Sequence, residues 1–358
     1  MRLSVIGLRG FPMIEGGVEK HCESLYPRLE EDIDITVYRR KPYVKSSLSY
    51  ERIKFIDLPS TTIKGFETLF YSFLASVDAL FKKPDIVHYH NIGTSLFTPI
   101  LKLRNIPVVV TYHSANYEHE KWGYFAKTLL KISEKIAFMT ADKIVFVNKF
   151  QMEKCDQKVR KKAIYIPNGI NEMDISQDTD YLKEIDVEPG KYILSVGRIT
   201  PEKGFDVLIK GYKNANGQEY KLVIAGGVEH ENAYLQKLQE LSDGMDVVFT
   251  GFVYGEKLQQ LYSHAGLFVL ASRNEGFPLV LLEAMNYRLD VLVSDIPGTH
   301  LVSLDKDDYF KCGDYNELAD KIGMRLKKTR ARDYDLSEFN WNTIALEMSK
   351  VFHEVAGK

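Results

Sequence analysis

Only three cysteines occur in 358 residues, Cys22, Cys155 and Cys312, and no two of them form a CxxC pair. A disulfide framework and a zinc ribbon both lack their ligands, so reduced thiols are expected, as in the cytosol. No run approaches the roughly 18 consecutive apolar residues that a membrane span requires. Met1 and Arg2, then Leu3 to Leu8 and Arg9, read as a strand and not as the apolar region of a secretion signal. A GxGxxG fingerprint is missing after that strand, which disfavours a dinucleotide cofactor. Basic residues are dispersed without a recognition motif, so no nucleic-acid partner is expected. Net charge is nearly absent too: 47 basic against 49 acidic side chains leave −2.

That sum conceals a division. Residues 1–170 carry 26 basic and 18 acidic side chains, whereas residues 171–358 carry 21 and 31. A hydrophobic fraction of 45% with 27% charged residues belongs to an ordinary globular chain, and the length suits about two domains. The first half alternates short β-branched runs (Leu3–Ile6, Ile35–Tyr38, Ile53–Ile56, Ile86–Tyr89, Val108–Tyr112, Ile144–Val147, Ile164–Ile166) with helical patterns. These predict helices over Val18–Glu31, Phe66–Phe81, Thr94–Arg104 and Tyr124–Thr140, and a shorter one from Lys149. After Pro167-Asn168-Gly169, the polar stretch from Asn171 to Gly190 reads as a linker.

The alternation then restarts. Strands are predicted at Tyr192–Val196, Leu222–Ala225, Val247–Thr250, Leu267–Leu270, Val291–Val293 and Tyr309–Lys311. Helices are predicted at Phe205–Asn214, Tyr234–Ser242, Glu256–Ser263, Leu279–Tyr287, Tyr315–Lys328 and Trp341–Val355. Strands apolar on both faces, alternating with helices, indicate parallel sheets covered on both sides. The expectation is an α/β chain of two doubly wound Rossmann-like domains, 1–170 and 171–340. A terminal helix, 341–358, packs back towards the first. Two such domains facing across a cleft place the carboxyl ends of both sheets around it, where ligands of this architecture bind.

Three loops carry chemistry. The first runs from Gly7 to Gly16-Gly17-Val18-Glu19 and ends at a helix start, where free N–H groups suit a phosphate; a plain flexible turn is the alternative. The second, Gly197-Arg198-Ile199-Thr200-Pro201-Glu202-Lys203-Gly204, offers two cations at a strand end that can grip a diphosphate, against a solvated charged turn. The third is Ser272-Arg273-Asn274-Glu275-Gly276-Phe277-Pro278-Leu279, leading into a helix that carries Glu283. Its helix start is another anion site, and a carboxylate among Leu281, Leu282 and Ala284 needs a partner, either sugar hydroxyls or an ordinary ion pair.

Glu275 and Glu283, eight apart around Gly276-Phe277-Pro278-Leu279, resemble the EX7E motif of retaining GT-B glycosyltransferases of family 4. Gly16-Gly17, His113, Pro167-Asn168-Gly169, Gly197-Arg198 with Lys203-Gly204, Ala225-Gly226-Gly227 and Gly251-Phe252 follow the family's order over essentially the whole chain. The opening Arg9-Gly10-Phe11-Pro12 to Gly16-Gly17-Val18-Glu19 is similar to bacterial rhamnosyltransferases. The resemblance implies a GT-B fold and a nucleotide-sugar donor (UDP-, dTDP- or GDP-linked). It also implies a glycan or polyprenyl-diphosphate-linked acceptor in surface polysaccharide synthesis. Arg198 and Lys203 would hold the diphosphate, with the amides of Phe277 to Leu279 beside Gly276 and Pro278. Glu283 would bind the ribose, while Glu275 and His113 would meet the donor sugar. Gly16 and Gly17 would close over the phosphates, and Phe252 with the Gly226-Gly227 turn would line the base. Where the family often has an acidic residue in that turn, this chain reads Gly226-Gly227-Val228.

The implied reaction needs no metal, since fixed cations and a helix N-terminus stabilise the leaving diphosphate. Asp-x-Asp triplets at Asp32/Asp34, Asp178/Asp180 and Asp333/Asp335 lie away from the strand ends that matter. His88, His90, His113 and His119 lack a completing ligand at recognisable spacing, so no metal site is expected. Phe66–Phe81 reads as a buried helix or, with Arg39-Arg40-Lys41, Lys45, Lys64 and Lys82-Lys83, as a face towards anionic lipid. The expected location is the cytoplasm, with peripheral contact at the inner membrane face. An epimerase of the same fold or a non-catalytic nucleotide-sugar-binding subunit are the alternatives.

Overall fold

The computed structural model describes all residues except 15, 45–47, 62–65, 115–122, 172–173, 216–218, 229–232, 329–330 and 358. The chain forms two compact units, one of Met1–Asn171 with Ser337–Lys358 and the other of Glu172–Leu336.

Seven parallel strands make the sheet of the first unit: β1 (Arg2–Ile6), β2 (Asp34–Arg40), β3 (Ile53–Leu58), β4 (Ile86–His90), β5 (Val108–Tyr112), β6 (Lys143–Phe146) and β7 (Ala163–Tyr165). Their order is β3-β2-β1-β4-β5-β6-β7. Every residue of β4 and β5 is buried, which is why these strands lack polar alternation. The helices are α1 (Gly17–Leu25), α2 (Phe66–Lys82), α3 (Thr98–Lys102), α4 (Tyr124–Thr140), α5 (Lys149–Glu153) and α6 (Gln157–Arg160). Two predicted helices are shorter than expected, for one reason. Pro27 turns the end of the first into a 3₁₀ turn over Tyr26–Arg28, and Pro99 divides the 94–104 pattern into a 3₁₀ turn and α3.

The second unit repeats the plan with β8 (Tyr192–Val196), β9 (Lys221–Ala225), β10 (Val247–Gly251), β11 (Leu267–Leu270), β12 (Val291–Asp295) and β13 (Tyr309–Lys311). The order is β10-β9-β8-β11-β12-β13, again all parallel. Its helices are α7 (Asp180–Glu184), α8 (Phe205–Asn214), α9 (Ala233–Leu241), α10 (Gly255–Ser263), α11 (Leu279–Asn286) and α12 (Tyr315–Leu326). The stretch expected to be a linker is in part packed structure. Tyr181 and Leu182 of α7 are buried, as is Val187, and the Tyr181 amide donates to Gln260 Oε1 at 2.9 Å.

The last helix, α13 (Trp341–Ala356), belongs to the first unit. Trp341, Ile344, Ala345, Met348, Val351 and Phe352 join Leu3, Val5 and Leu25 in one core, and Ile170 N–H donates to the Phe339 carbonyl at 2.7 Å. A side chain at Gly169 would bring its Cβ to 2.5 Å from the Trp341 ring, so the glycine makes room for the helix. Among the described residues, no helix is long and apolar enough to cross a membrane.

Candidate functional site

In each sheet the strand order reverses about a central pair, β1 and β4 in one and β8 and β11 in the other, and loops diverge there at the carboxyl ends. In the second unit, β8 runs into Gly197 and Arg198 and then a 3₁₀ turn over Pro201–Lys203. Gly204 follows at φ +65°, where any side chain would collide with the Ala271 carbonyl. That close approach brings Lys203 against the loop after β11. Lys203 Nζ donates to Glu275 Oε1 at 2.6 Å, and Ser272 Oγ donates to the same oxygen at 2.6 Å. The Glu275 side chain is only 9% exposed and that of Lys203 21%, so this pair sits largely out of water. Arg198 is exposed.

Arg273 ties the two loops together. Its amide donates to the Glu202 carbonyl at 2.7 Å, and its guanidinium holds the Pro201 carbonyl and both carboxylate oxygens of Asp206. That fork holds the Asp206 carboxyl below the usual range despite its burial, with help from the Tyr234 hydroxyl. Gly298 completes the seat, since a Cβ there would meet the Glu275 carbonyl at 2.6 Å.

Glu283 lies one turn into α11, and Tyr262 Oη donates to its Oε2 at 2.8 Å. Tyr262 is buried and stacks on Tyr287 with ring centroids 5.2 Å apart, which fixes the hydroxyl that orients the carboxylate. The helix end departs from expectation in detail. Pro278 has no N–H to offer, and the Leu279 amide turns back to the Phe277 carbonyl at 3.0 Å. The amides that follow at Leu281 and Leu282 donate to the Pro278 carbonyl at 3.0 and 3.4 Å.

Gly226 pairs with Gly251, and a Cβ on Gly226 would strike the Gly197 carbonyl, so the turns after β8, β9 and β10 converge. Gly227 leaves space for the Phe252 ring, which is 42% exposed and stacks on Tyr254 at 6.1 Å. Two exposed aromatic faces beside glycine turns make a shelf on which a planar base can lie.

In the first unit, Gly16 caps α1 at φ +144°, and a side chain there would collide with the Glu19 carboxylate. That carboxylate folds back over the helix start and accepts from the Arg9 amide at 3.1 Å. Burial raises the Glu19 carboxyl above its ordinary range. The helix start expected to meet phosphate thus already holds an acidic group of its own, while a Cβ on Gly17 would meet nothing within 4 Å.

Beside it lies a histidine cluster that spacing alone did not assemble. His113, half-buried after β5, shares a 2.9 Å hydrogen bond between its Nε2 and His90 Nδ1. His90 Nε2 lies 2.6 Å from the Tyr26 hydroxyl, which lies 2.8 Å from His88 Nδ1, and His88 Nε2 is 2.7 Å from Thr111 Oγ1. His21 bonds Asn168 Oδ1 at 2.7 Å, and its ring packs edge-on against His113 at 5.0 Å. Burial lowers the pKa of all four imidazoles, that of His21 to about 4 and that of His88 to about 3, with His90 and His113 well below the ordinary value.

Two groups among the described residues place potential metal-ligating atoms within 4.8 Å of one another, His21 with His90 and His113, and Glu30 with Asp32 and His353. In the first, both ring nitrogens of His90 are already engaged by Tyr26 and His113. The second is exposed and joins an Asp of the first Asp-x-Asp triplet to α13, whereas Asp333 of the third pairs with Arg288. His119 lies outside the described residues. Sequence reasoning named Ser272 and Arg273 without giving them a role and passed over Asp206, Tyr262, His21 and Tyr26, whose partners are distant in the chain. His21 stands on the helix that begins at the Gly-Gly pair and Tyr26 in the turn after it, five positions on, a spacing that gave no signal.

Comparison with known proteins adds the following. Residues 15–173 match the model described as Glycosyltransferase Family 4, and residues 178–334 match Glycosyl transferases group 1. An uncharacterised glycosyltransferase of Methanocaldococcus jannaschii is 27% identical, with 98% of both chains covered. Among solved structures, sucrose-phosphate synthase of Thermosynechococcus elongatus superposes with a TM-score of 0.81 at 21% identity, covering 99% of each chain. HepE of Anabaena, solved with UDP and glucose, gives a TM-score of 0.73 at 17% identity, covering 99% of this chain and 95% of that one.

Proposed function

Since the chain belongs to the family 4 glycosyltransferases of GT-B fold, we propose that it moves a sugar from a nucleoside-diphosphate donor to a glycan or lipid-linked acceptor, with retention at the anomeric carbon. The observation that carries this reading is the Lys203–Glu275–Ser272 constellation at the switch point of the second sheet, with Tyr262-held Glu283 on the adjoining helix. Breaking the bond to a diphosphate builds negative charge on phosphate and positive character on the sugar ring. Lys203 and Arg198 answer the first, and Glu275 lies where it can answer the second. Glu283 takes the ribose hydroxyls, and Phe252 takes the base. The complex of HepE with UDP and glucose supports a donor of this class. The acceptor hydroxyl attacks from the face the diphosphate leaves, and its proton passes to the departing phosphate oxygen. These groups supply the leaving-group charge stabilisation without a metal. The similarity of residues 9–19 to rhamnosyltransferases makes a rhamnosyl donor the first to try.

A lipid-linked acceptor fits the surface of the first unit. Of the 17 residues of α4, Ser133 and Ala137 are buried, while Tyr124 is 86% and Phe125 92% exposed. Leu129, Ile132 and Met139 are exposed too, with Lys131 and Lys135 among them, a combination suited to an anionic bilayer. The helix singled out from sequence, α2, exposes Phe66, Phe73 and Phe81 but buries Tyr71, Ser72, Ala75, Ser76 and Ala79 against the sheet. The membrane-facing role therefore goes chiefly to α4.

The deciding experiment screens nucleotide sugars for diphosphate release with lipid-linked acceptors present, before and after exhaustive EDTA treatment. Acceptor-dependent release that survives EDTA is expected. Release of free sugar without acceptor favours the epimerase reading, and a strict divalent requirement overturns the metal-free mechanism.

A further inference from the structure

The histidine cluster of the first unit has a direction. Thr111 Oγ1 is buried, and among the described residues its side chain has one hydrogen-bond partner, His88 Nε2. A buried hydroxyl that kept its hydrogen unshared would bear the cost of a lost hydrogen bond, so Thr111 donates. His88 Nε2 therefore accepts. A neutral imidazole carries one proton, which places the hydrogen of His88 on Nδ1, from which it donates to the Tyr26 oxygen. Tyr26 must send its own hydrogen elsewhere, and His90 Nε2 stands 2.6 Å away. The thiol of Cys22 lies 3.5 Å from that same nitrogen, as a weak second donor. With Nε2 accepting, His90 is the Nδ1–H form and donates to His113 Nε2. His113 then carries its hydrogen on Nδ1, which has no partner among the described residues.

We propose that Thr111, His88, Tyr26 and His90 form a one-way hydrogen-bond chain that holds His113 as the Nδ1–H tautomer, a fixed donor for an oxygen of the transferring sugar. Burial supports the chain: the neutral state on which each link depends is the state that desolvation favours at His88, His90 and His113. The reverse direction would need every proton moved one link and would leave the Thr111 hydroxyl without an acceptor. Thr111, His88, Tyr26 and His90 are positioning residues, acting on the sugar only through His113. Asn168 and His21 guard the flank: His21 Nδ1–H donates to Asn168 Oδ1, and the ring of His21 walls the other side of His113. The donor role of Nδ1 rests on the function proposed above, whereas the tautomer itself does not.

The two are therefore read separately. Nitrogen-15 NMR of the imidazoles in the full chain should give His113 a protonated Nδ1 and a bare Nε2 at neutral pH. Thr111→Ser should keep that pattern, while Thr111→Val and Tyr26→Phe should replace it by a tautomer mixture. Turnover should fall at least about tenfold in Thr111→Val at little changed donor KM, and recover in Thr111→Ser. An Nε2–H or doubly protonated His113 in the wild type overturns the chain, as does a His113 tautomer unmoved in both Thr111→Val and Tyr26→Phe when both variants fold. The expected tautomers with full turnover in His113→Ala would leave the chain standing and remove His113 from the reaction.

Discussion

Lys203 Nζ and Glu275 Oε1 lie 2.6 Å apart, although 72 residues separate them in the chain. Each is the other's counter-charge in a place with little water, and Ser272 locks the carboxylate oxygen they share. In the proposed reaction a donor diphosphate arriving beside Lys203 would draw on the cation that holds Glu275, coupling binding of the leaving group to the aim of the carboxylate.

Lys203→Ala should lower turnover about 100-fold, because it removes leaving-group stabilisation and leaves a nearly buried carboxylate without its cation. Glu275→Gln relieves the second defect and not the first. A double-mutant cycle on thermal stability should accordingly give a coupling of about 1–3 kcal/mol, and strict additivity would show the ion pair to be idle.

Tyr262→Phe should raise the donor KM about fivefold at nearly constant kcat, the effect of one hydrogen bond used in binding alone. Stacking on Tyr287 survives the change, so stability should hold. Steady-state kinetics with varied donor settle it, and an equal loss in kcat would assign Glu283 to the chemical step instead.

Acid should unfold the first unit early. The ordinary histidine pKa is 6.5, while that of His21 is lowered to about 4 and that of His88 to about 3. Below pH 6.5 the unfolded chain takes up protons that the folded chain refuses, so stability is present above that pH and is lost as pH falls. The loss through His21 runs from about 6.5 to about 4, and through His88 further, at up to about 1.4 kcal/mol per pH unit for each ring. Melting curves between pH 7 and pH 4 check this, and a Tm that stays level across that interval would falsify it.

Phe125→Asp with Leu129→Asp should abolish sedimentation with vesicles containing anionic lipid and leave release of diphosphate to a water-soluble acceptor intact. Raising salt should weaken the wild-type association as well, through Lys131 and Lys135. Unchanged vesicle binding in the double variant would move the contact off α4.

Much of this was legible before any coordinates. The alternation of strand and helix patterns gives both sheets, and the loops carrying Arg198, Lys203, Glu275 and Glu283 lie at strand ends where doubly wound folds hold ligands. The amide cradle was less legible. Leu279 bonds Phe277 within one local turn, a backbone detail that residue types do not reveal. The stretch before Gly190 reads as linker because it is polar, and yet Tyr181 and Leu182 find a buried seat there. Which helix keeps the broader exposed apolar face was not legible, since composition ranks α2 above α4 and only packing tells which side chains are covered.

The sequence by itself determined the class of fold and the order of its parts, because the burial of a strand or helix is written in the spacing of residues a few positions apart. Only the tertiary structure decided that Thr111, His88, Tyr26, His90 and His113 form one chain and that Tyr262 faces Glu283. Hydrogen-bond partners are chosen by where packed elements meet. Residues from α1, the following turn, β4 and β5 meet only once the sheet has closed around them.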